Sequence, residues 1–357
     1  MGSEEITSFS KRRGSMSQQN PGNPPDSPNA QDPVQKALDQ FIPNFPIGPI
    51  GAEKIPIEKA LGRVTARDIK TLVDSPPYSR SIIEGFVVNT LDIQSASPEN
   101  PLFLSLLGEI TLGMSKITPI TAGGAYQVST GSLIPSGDVS VIRLFEVERS
   151  GKQILIKKAL QSGENIETKG CDLKKGSILI PKGKKMTPDD IGILASQGIL
   201  KVQVAKAPKV AIFSSGNEVI PPTKPLKPGL IWDCNSYSLA VSVLKEGGIP
   251  IFKGIMKDDF NGFLKRLNNT LAQAHMVLIS GGTAVGGRDF IKDLINAAGK
   301  PGTLVDGVPM RSGKPLIMGV IGKKPIVCVA GHPPEALRGF SLFGAPALER
   351  LLGKTAP

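Results

Sequence analysis

The chain has 357 residues, 40% of them apolar and 20% charged, with 42 basic and 31 acidic side chains and a net charge of +11. That length accommodates two or three domains with a sizeable core, and the composition is that of a globular protein. No apolar run is long enough to span a bilayer, and the amino-terminal stretch lacks the apolar segment of an export signal, so a cytoplasmic protein without a membrane partner is expected.

Residues 1–33 are rich in Ser, Asn, Gln, Pro and Gly and nearly devoid of large apolar side chains, which predicts a disordered tail. Residues 1–40 carry four basic and five acidic groups, so the basic excess belongs to the remainder of the chain. An anionic partner (a nucleotide, phosphate or oxyanion) would account for it, as would a solvated basic surface. No basic stripe interleaved with stacking aromatics occurs, which argues against nucleic acid.

Apolar spacing starts near Val34. Ile57, Ala60, Leu61 and Val64 have helical spacing, Pro76-Pro77 breaks the chain, and residues 82–88 read as a short strand containing Glu84 and Gly85. Residues 100–148 alternate short apolar runs with Gly and Pro, and 172–185 read as a strand between turns. Thr187-Pro188 is a helix start, and that helix should stop at Gly198. Residues 34–207 therefore form a β-rich region.

The texture changes at Pro208. Strands are predicted at 209–213, 249–255, 275–280, 304–309, 315–320 and 325–329, with helices at 236–247, 259–272, 290–298 and 334–342. This alternation predicts, for residues 208–353, a three-layer α/β domain with a mostly parallel sheet. The fold class is thus multidomain α/β with a β-rich amino-terminal half. In such sheets ligands bind beyond the carboxyl ends of the strands, and there the unusual segments fall.

The first is Ser214-Ser215-Gly216-Asn217-Glu218, a hydroxyl pair and a carboxylate after a buried strand, which also reads as a turn or cap. The second, Asp233-Cys234-Asn235-Ser236, precedes a helix that Asn235 or Ser236 could cap. The third is a Gly-rich strand–helix turn, Ser280-Gly281-Gly282 through Gly286 to Asp289, whose N–H groups can approach an anion. The fourth, Arg311-Ser312-Gly313-Lys314-Pro315, presents two cations to one anion or to solvent, without the glycine spacing of a Walker loop. His332-Pro333 follows the last strand; a structural loop histidine and a ligand contact are both open. Glu218, Asp233 and Asp289 would share one rim, and carboxylates with Mg2+ beside cations are what phosphoryl chemistry requires. Cys171, Cys234 and Cys328 have no metal-binding spacing and read as reduced thiols, and His275 with His332 cannot build a His-rich zinc site.

The ordered set SSGNEV, GLIWDCNS, LISGGTAVGGRDF, VPMRSGKP and VAGHPP resembles the second half of the molybdopterin molybdenumtransferase family, the MoeA and gephyrin-E type. Its members read STGDEL, YDSN, TSGGVSVGxxDY, MKPGKP and PGNP there. Ala60-Leu61-Gly62-Arg63-Val64, Ser81 to Phe86, Thr130-Gly131 and Asn165 to Pro188 are similar to its amino-terminal motifs, so the likeness spans about residues 34–345. The resemblance implies hydrolysis of adenylylated molybdopterin with Mg2+-dependent release of AMP, and insertion of molybdate into the pterin dithiolene. It implies that residues 34–207 supply linker and dimerisation elements.

On that resemblance Glu218, Asp289 and Asp233 are the catalytic carboxylates, and Glu84, Asp289 and Glu218 the metal ligands. Ser215, Gly216, Asn235, Ser236, Ser280, Gly281, Gly282 and Gly286 would bind substrate, with Arg311, Lys314, Pro315, His332 and Pro333. Thr130 and Gly131 would complete the pocket across a homodimer. The resemblance also implies enzymes that depend on the cofactor, or proteins that make it, as partners. Departures are visible: Glu84 for Asp, Asn217 for Asp, Ser312 for Pro, Ala330 and His332 in PGNP, and a chain that stops at Pro357, before the family's usual fourth domain. They keep open a non-catalytic paralogue that carries molybdopterin or its cofactor, and a different hydrolase on the same domain.

Overall fold

A computed structural model of the chain describes residues 32–281, 288–309 and 316–354, with Arg288 and Asp289 described by their backbone alone. The predicted tail of residues 1–33 lies almost wholly outside the described residues. Asp32 caps the Pro33–Phe41 helix, its Oδ1 accepting from the Val34 N–H at 3.0 Å.

The α/β domain is built on a six-stranded sheet of order Ile249–Met256, Lys209–Ser215, Met276–Gly281, Lys324–Val329, Ile317–Ile321 and Pro301–Asp306. The first four strands are parallel, and the last two join antiparallel. Alternate side chains enter two separate cores, as strand geometry dictates. Val210, Ile212, Leu278, Val327 and Met318 pack on one face with Leu239, Val243, Ala336 and Leu348. Ala211, Phe213, Val277, Ile279 and Cys328 pack on the other with Phe263, Leu267, Ile291 and Leu294. Burial of Cys328 pushes its thiol up to about 12, so it is an inert core residue. The Pro33–Phe41 helix, grouped by sequence with the β-rich part, buries Ala37 and Phe41 in the first of these cores.

The β-rich part has two units. In one, Ala52–Pro56 pairs with Lys201–Ala205 and Ile69–Lys70 with Ile178–Ile180, over a core of Ile57, Ala60, Ile180, Leu194 and Val204. The other, a six-stranded sheet spanning Gly85 to Ile156, is inserted between those strands. The helical spacing from Ile57 to Val64 yields only a three-residue 3-10 turn, Ile57–Lys59, because the chain turns back at Gly62; Ile57, Ala60 and Val64 are buried and Leu61 is not. The last helix does not end at Leu342. Pro333–Gly339 continues through a π segment, Phe340–Gly344, into Ala345–Leu352. Pro346 lacks the N–H an α-helix needs there, and the wider turn carries the chain past it.

Thr187 and Asp190 form a reciprocal cap on the Pro188–Ser196 helix, with the Asp190 carboxylate accepting from the Thr187 N–H at 2.9 Å and from Lys184 Nζ at 2.6 Å. Burial pushes the Asp190 carboxyl up, but Lys184 and the Thr187 bonds together outweigh it and hold it below the ordinary 3.8. Asp190→Ala should cost this unit about 1–2 kcal/mol at pH 7, read as an earlier urea midpoint. A depressed folded-state value means the contribution is full above 3.8 and fades as pH falls through the lower folded value, so the gap between wild type and variant should close in strong acid. A gap that persists there would assign the loss to packing instead.

Candidate active site

The strand order places Lys209–Ser215 second in the sheet, with the next two strands of that sheet in sequence, Ile249–Met256 and Met276–Gly281, on opposite sides. Crossovers leave in both directions at that point, and the loops part to form a crevice at the carboxyl ends. A cavity of about 360 Å3 lies there. Ser214 and Ser215 enter it from the Lys209–Ser215 strand and Glu218 from the loop after it, Ile231 to Asn235 from the segment leading into the next helix, Ser280 and Gly281 from the Met276–Gly281 strand, and Gly331 to Pro333 from beyond the Lys324–Val329 strand. The first, second and last of the sequence segments, and the start of the third, are thereby brought together.

A buried polar layer holds these ends in place. Ser214 Oγ donates to Asp233 Oδ1 at 2.7 Å and meets Ser236 Oγ at 2.8 Å. The same Asp233 oxygen accepts from the Ser236 N–H at 3.1 Å, so Asp233, only 7% exposed, does the capping expected of Asn235 or Ser236. Asn235 is turned across the crevice instead, its Nδ2 donating to Ser280 Oγ at 2.6 Å and to the Gly331 carbonyl at 2.7 Å. One amide therefore ties the start of the Asn235–Lys245 helix to the end of the Met276–Gly281 strand and to the loop after the Lys324–Val329 strand. Backbone approach is equally close: at Gly281, with φ +90°, a Cβ would stand 2.4 Å from the Ser215 carbonyl oxygen. Only glycine fits that position.

Three features face outward from this layer. Ser215 Oγ is buried, lines the cavity and has no hydrogen-bond partner among the described residues. Burial without a partner costs about 1–3 kcal/mol, and the place of this hydroxyl in the cavity makes it a candidate ligand contact. Glu218 is exposed at the mouth, its carboxylate close enough to Gly216 that a Cβ there would stand 2.6 Å from Oε2. His332 lines the rim with its side chain 64% exposed, and Nδ1 pairs with the Glu335 carboxylate. The hard oxygens of Glu218 and Asp233 fit a Mg2+ ion by donor type.

Sequence reading did not single out Lys257, whose Nζ donates to the Asn217 carbonyl at 2.9 Å and brings a cation to the loop bearing Glu218. No local pattern marks it, because the contact crosses between parallel strand ends. Asp289 begins the Arg288–Ala298 helix at its second residue, where an acidic group suits the helix dipole. Its side chain, with Gly282, Gly286, Arg311, Lys314 and Pro315, lies outside the described residues.

Glu84, Thr130 and Gly131 do not line the cavity. They belong to the inserted sheet unit, where the Gly131 N–H donates to the Ser81 carbonyl at 2.8 Å and the Ser81 N–H to the Ser132 carbonyl at 3.0 Å. Glu84 is exposed beside this turn. Gly85 follows it because a Cβ there would stand 1.8 Å from the Ile142 carbonyl oxygen on the paired strand.

The fold and the crevice define a ligand-binding α/β domain, with polar strand ends at a topological switch point, joined to a two-unit β-rich region. Residues 32–198 match the family model "MoeA N-terminal region (domain I and II)", and residues 211–350 match "Probable molybdopterin binding domain". A molybdopterin molybdenumtransferase of Nostoc sp. is 30% identical over 304 residues, covering 84% of this chain and 70% of that protein. Molybdopterin molybdenumtransferase 2 of Mycobacterium tuberculosis is 27% identical over 307 residues, covering 85% and 76%. Two crystal structures of the Pyrococcus horikoshii molybdopterin biosynthesis MoeA protein superpose with TM-scores of 0.76 and 0.77, at 36% and 30% identity, each over 91% of this chain and over 81% and 80% of theirs. The chain belongs to the molybdopterin molybdenumtransferase (MoeA) family, enzymes of molybdenum cofactor biosynthesis.

The Ser215–Gly281 approach yields a direct test. Gly281→Ala should lower the melting temperature, by strain of about 1–3 kcal/mol. Gly331→Ala should melt like wild type, since among the described residues its Cβ would meet only Gly281 Cα, at an ordinary 3.5 Å. Equal melting of all three proteins would mean that the strand ends can part without cost.

Proposed function

We propose that the crevice binds adenylylated molybdopterin, hydrolyses it to release AMP, and inserts molybdate into the pterin dithiolene. The observation that supports this most directly is the buried Ser215 hydroxyl, without a partner among the described residues, beside two carboxylates at the switch point. The hydroxyl can donate to a phosphate oxygen or to a pterin acceptor. Asn235 and Pro333, the first residues of two helices, also line the cavity, and the positive ends of those helices favour a bound anion.

Asp233 Oδ1 is committed to Ser214 and Ser236, so Asp233 holds the floor rigid and offers its other oxygen to a ligand. Glu218, exposed and against Gly216, is the group free to hold a metal or to orient the attacking water. Mg2+ bound by Glu218 with Asp233 or Asp289 would supply neutralisation of charge on the phosphate oxygens. Arg311 and Lys314 are the oxyanion-binding candidates, on their residue type and place in the family's motif order.

Glu84, Thr130 and Gly131 enter this reading through a homodimer, in which the inserted sheet of one copy reaches the crevice of the other. The two carboxylates Glu84 and Glu218 then belong to the same site but to different chains.

The test is AMP release from adenylylated molybdopterin with Mg2+ and molybdate. Glu218→Gln should abolish most of the turnover while leaving the melting temperature within a degree or two, because an exposed carboxylate contributes little to stability. Loss of both together would make Glu218 structural. Glu84→Gln should be similarly impaired. Mixing and reassociating the two inactive variants should restore about a quarter of wild-type turnover, since half of the random dimers would carry one intact site. No recovery on mixing would place Glu84 outside the shared site.

A further inference from the structure

Trp232 is the protein's single tryptophan, and it stands at the mouth of the crevice with 47% of its surface exposed. Its one polar atom is already satisfied within the chain: Nε1 donates to the Lys224 carbonyl at 2.9 Å. The ring is therefore anchored by its edge, and what it offers to the cavity is apolar π surface. The anchor is stiff. Lys224 lies in the loop 221–230, which contains Pro221, Pro222, Pro225 and Pro228 and closes on itself through the Lys224 N–H to Pro221 and Leu230 N–H to Lys227 carbonyl bonds. On its other side, Ile231–Trp232 pairs with Val219–Ile220, so the indole rides on the same small ribbon that carries Glu218 and Asp233. Ile231, 55% exposed, widens the apolar surface beside it.

We infer that Trp232 is the stacking platform of the site, the face on which a planar, fused heteroaromatic ring of the substrate lies while the carboxylates and Ser215 handle its charged end. This rests on the proposed function for the class of ligand and deepens it by assigning the ring contact. Both a pterin and an adenine have such a ring. A stacking residue held in place before binding loses little entropy on contact, so its effect should appear as affinity.

The whole chain would be titrated with AMP and, separately, with 6-carboxypterin. Binding would be followed by equilibrium dialysis for wild type, Trp232→Phe, Trp232→Leu and Trp232→Ala, and by tryptophan emission for wild type with AMP. Melting curves identify any variant that fails to fold, and Trp232→Leu keeps apolar bulk if the alanine variant is lost. AMP should quench the emission if adenine is the stacked ring. At least one probe should bind Trp232→Ala and Trp232→Leu roughly 5- to 150-fold more weakly than wild type, with Trp232→Phe, which keeps a ring but loses the Nε1 anchor, between them and wild type. A loss confined to AMP assigns the stack to adenine; a loss confined to 6-carboxypterin assigns it to the pterin. Unchanged affinity of folded Trp232→Ala for both probes would overturn the inference and leave the proposed function standing. Equal binding by the leucine and phenylalanine variants would replace stacking by simple apolar contact. Failure of wild type to bind either probe would remove the substrate reading itself.

Discussion

Beyond Lys209, the Lys209–Ser215 strand has no exposed residue: Val210 and Ile212 lie against one helical layer, Ala211 and Phe213 against the other. Each such side chain contributes roughly 1.5–3 kcal/mol by leaving water, and none can be turned outward without exposing its neighbours on the same face. Because the strand is paired on both edges as well, its carboxyl end can go only into the crevice. Ser214 and Ser215, the last two residues of this strand, therefore face a cavity, although hydroxyls would be costly anywhere else along it.

Polar groups at such a depth need partners, and the layer above the sheet supplies them to one another. Asp233 accepts from the Ser214 hydroxyl and the Ser236 N–H; Asn235 donates to Ser280 and to Gly331. The Asp233–Ser236 bond is a local cap, whereas the Ser214–Asp233, Asn235–Ser280 and Asn235–Gly331 bonds join segments far apart in the chain and act as braces. The same economy singles out Ser215. Its hydroxyl is buried at the cavity and has no partner among the described residues, which makes it the candidate contact for a ligand.

The β-rich part follows a different logic. An entire six-stranded sheet is inserted into the small unit built on Ala52–Pro56 and Lys201–Ala205, and its two faces bury separate clusters around Phe86 and Val87. The turn bearing Thr130 and Gly131 is hydrogen-bonded to the segment preceding Glu84, so these residues form one group in space as they form one group in the family resemblance. That group and the crevice are separate within a single chain.

Much was legible in the sequence for physical reasons. Strands buried on both faces leave apolar runs such as Val210 to Phe213 and Met276 to Ile279, and helices between them leave a 3.6-residue period; together these specify an α/β sheet with ligand groups at its carboxyl ends. The motif order, with Ser215, Asn235, Ser280 and His332 each at the end of a strand or start of a helix, specified most of the candidate rim. Local pattern misled where tertiary contacts override it: the spacing around Leu61 became a turn, and the final helix ran on past Pro346 through a π segment. Only the tertiary structure decided that Asp233 rather than Asn235 caps the helix, that Asn235 spans the crevice, that Lys257 reaches the Glu218 loop, and that Trp232 stands at the mouth with its N–H already used. Sequence patterns report periodic burial within one element, whereas the partner of a particular polar atom is set by which elements the sheet order brings side by side.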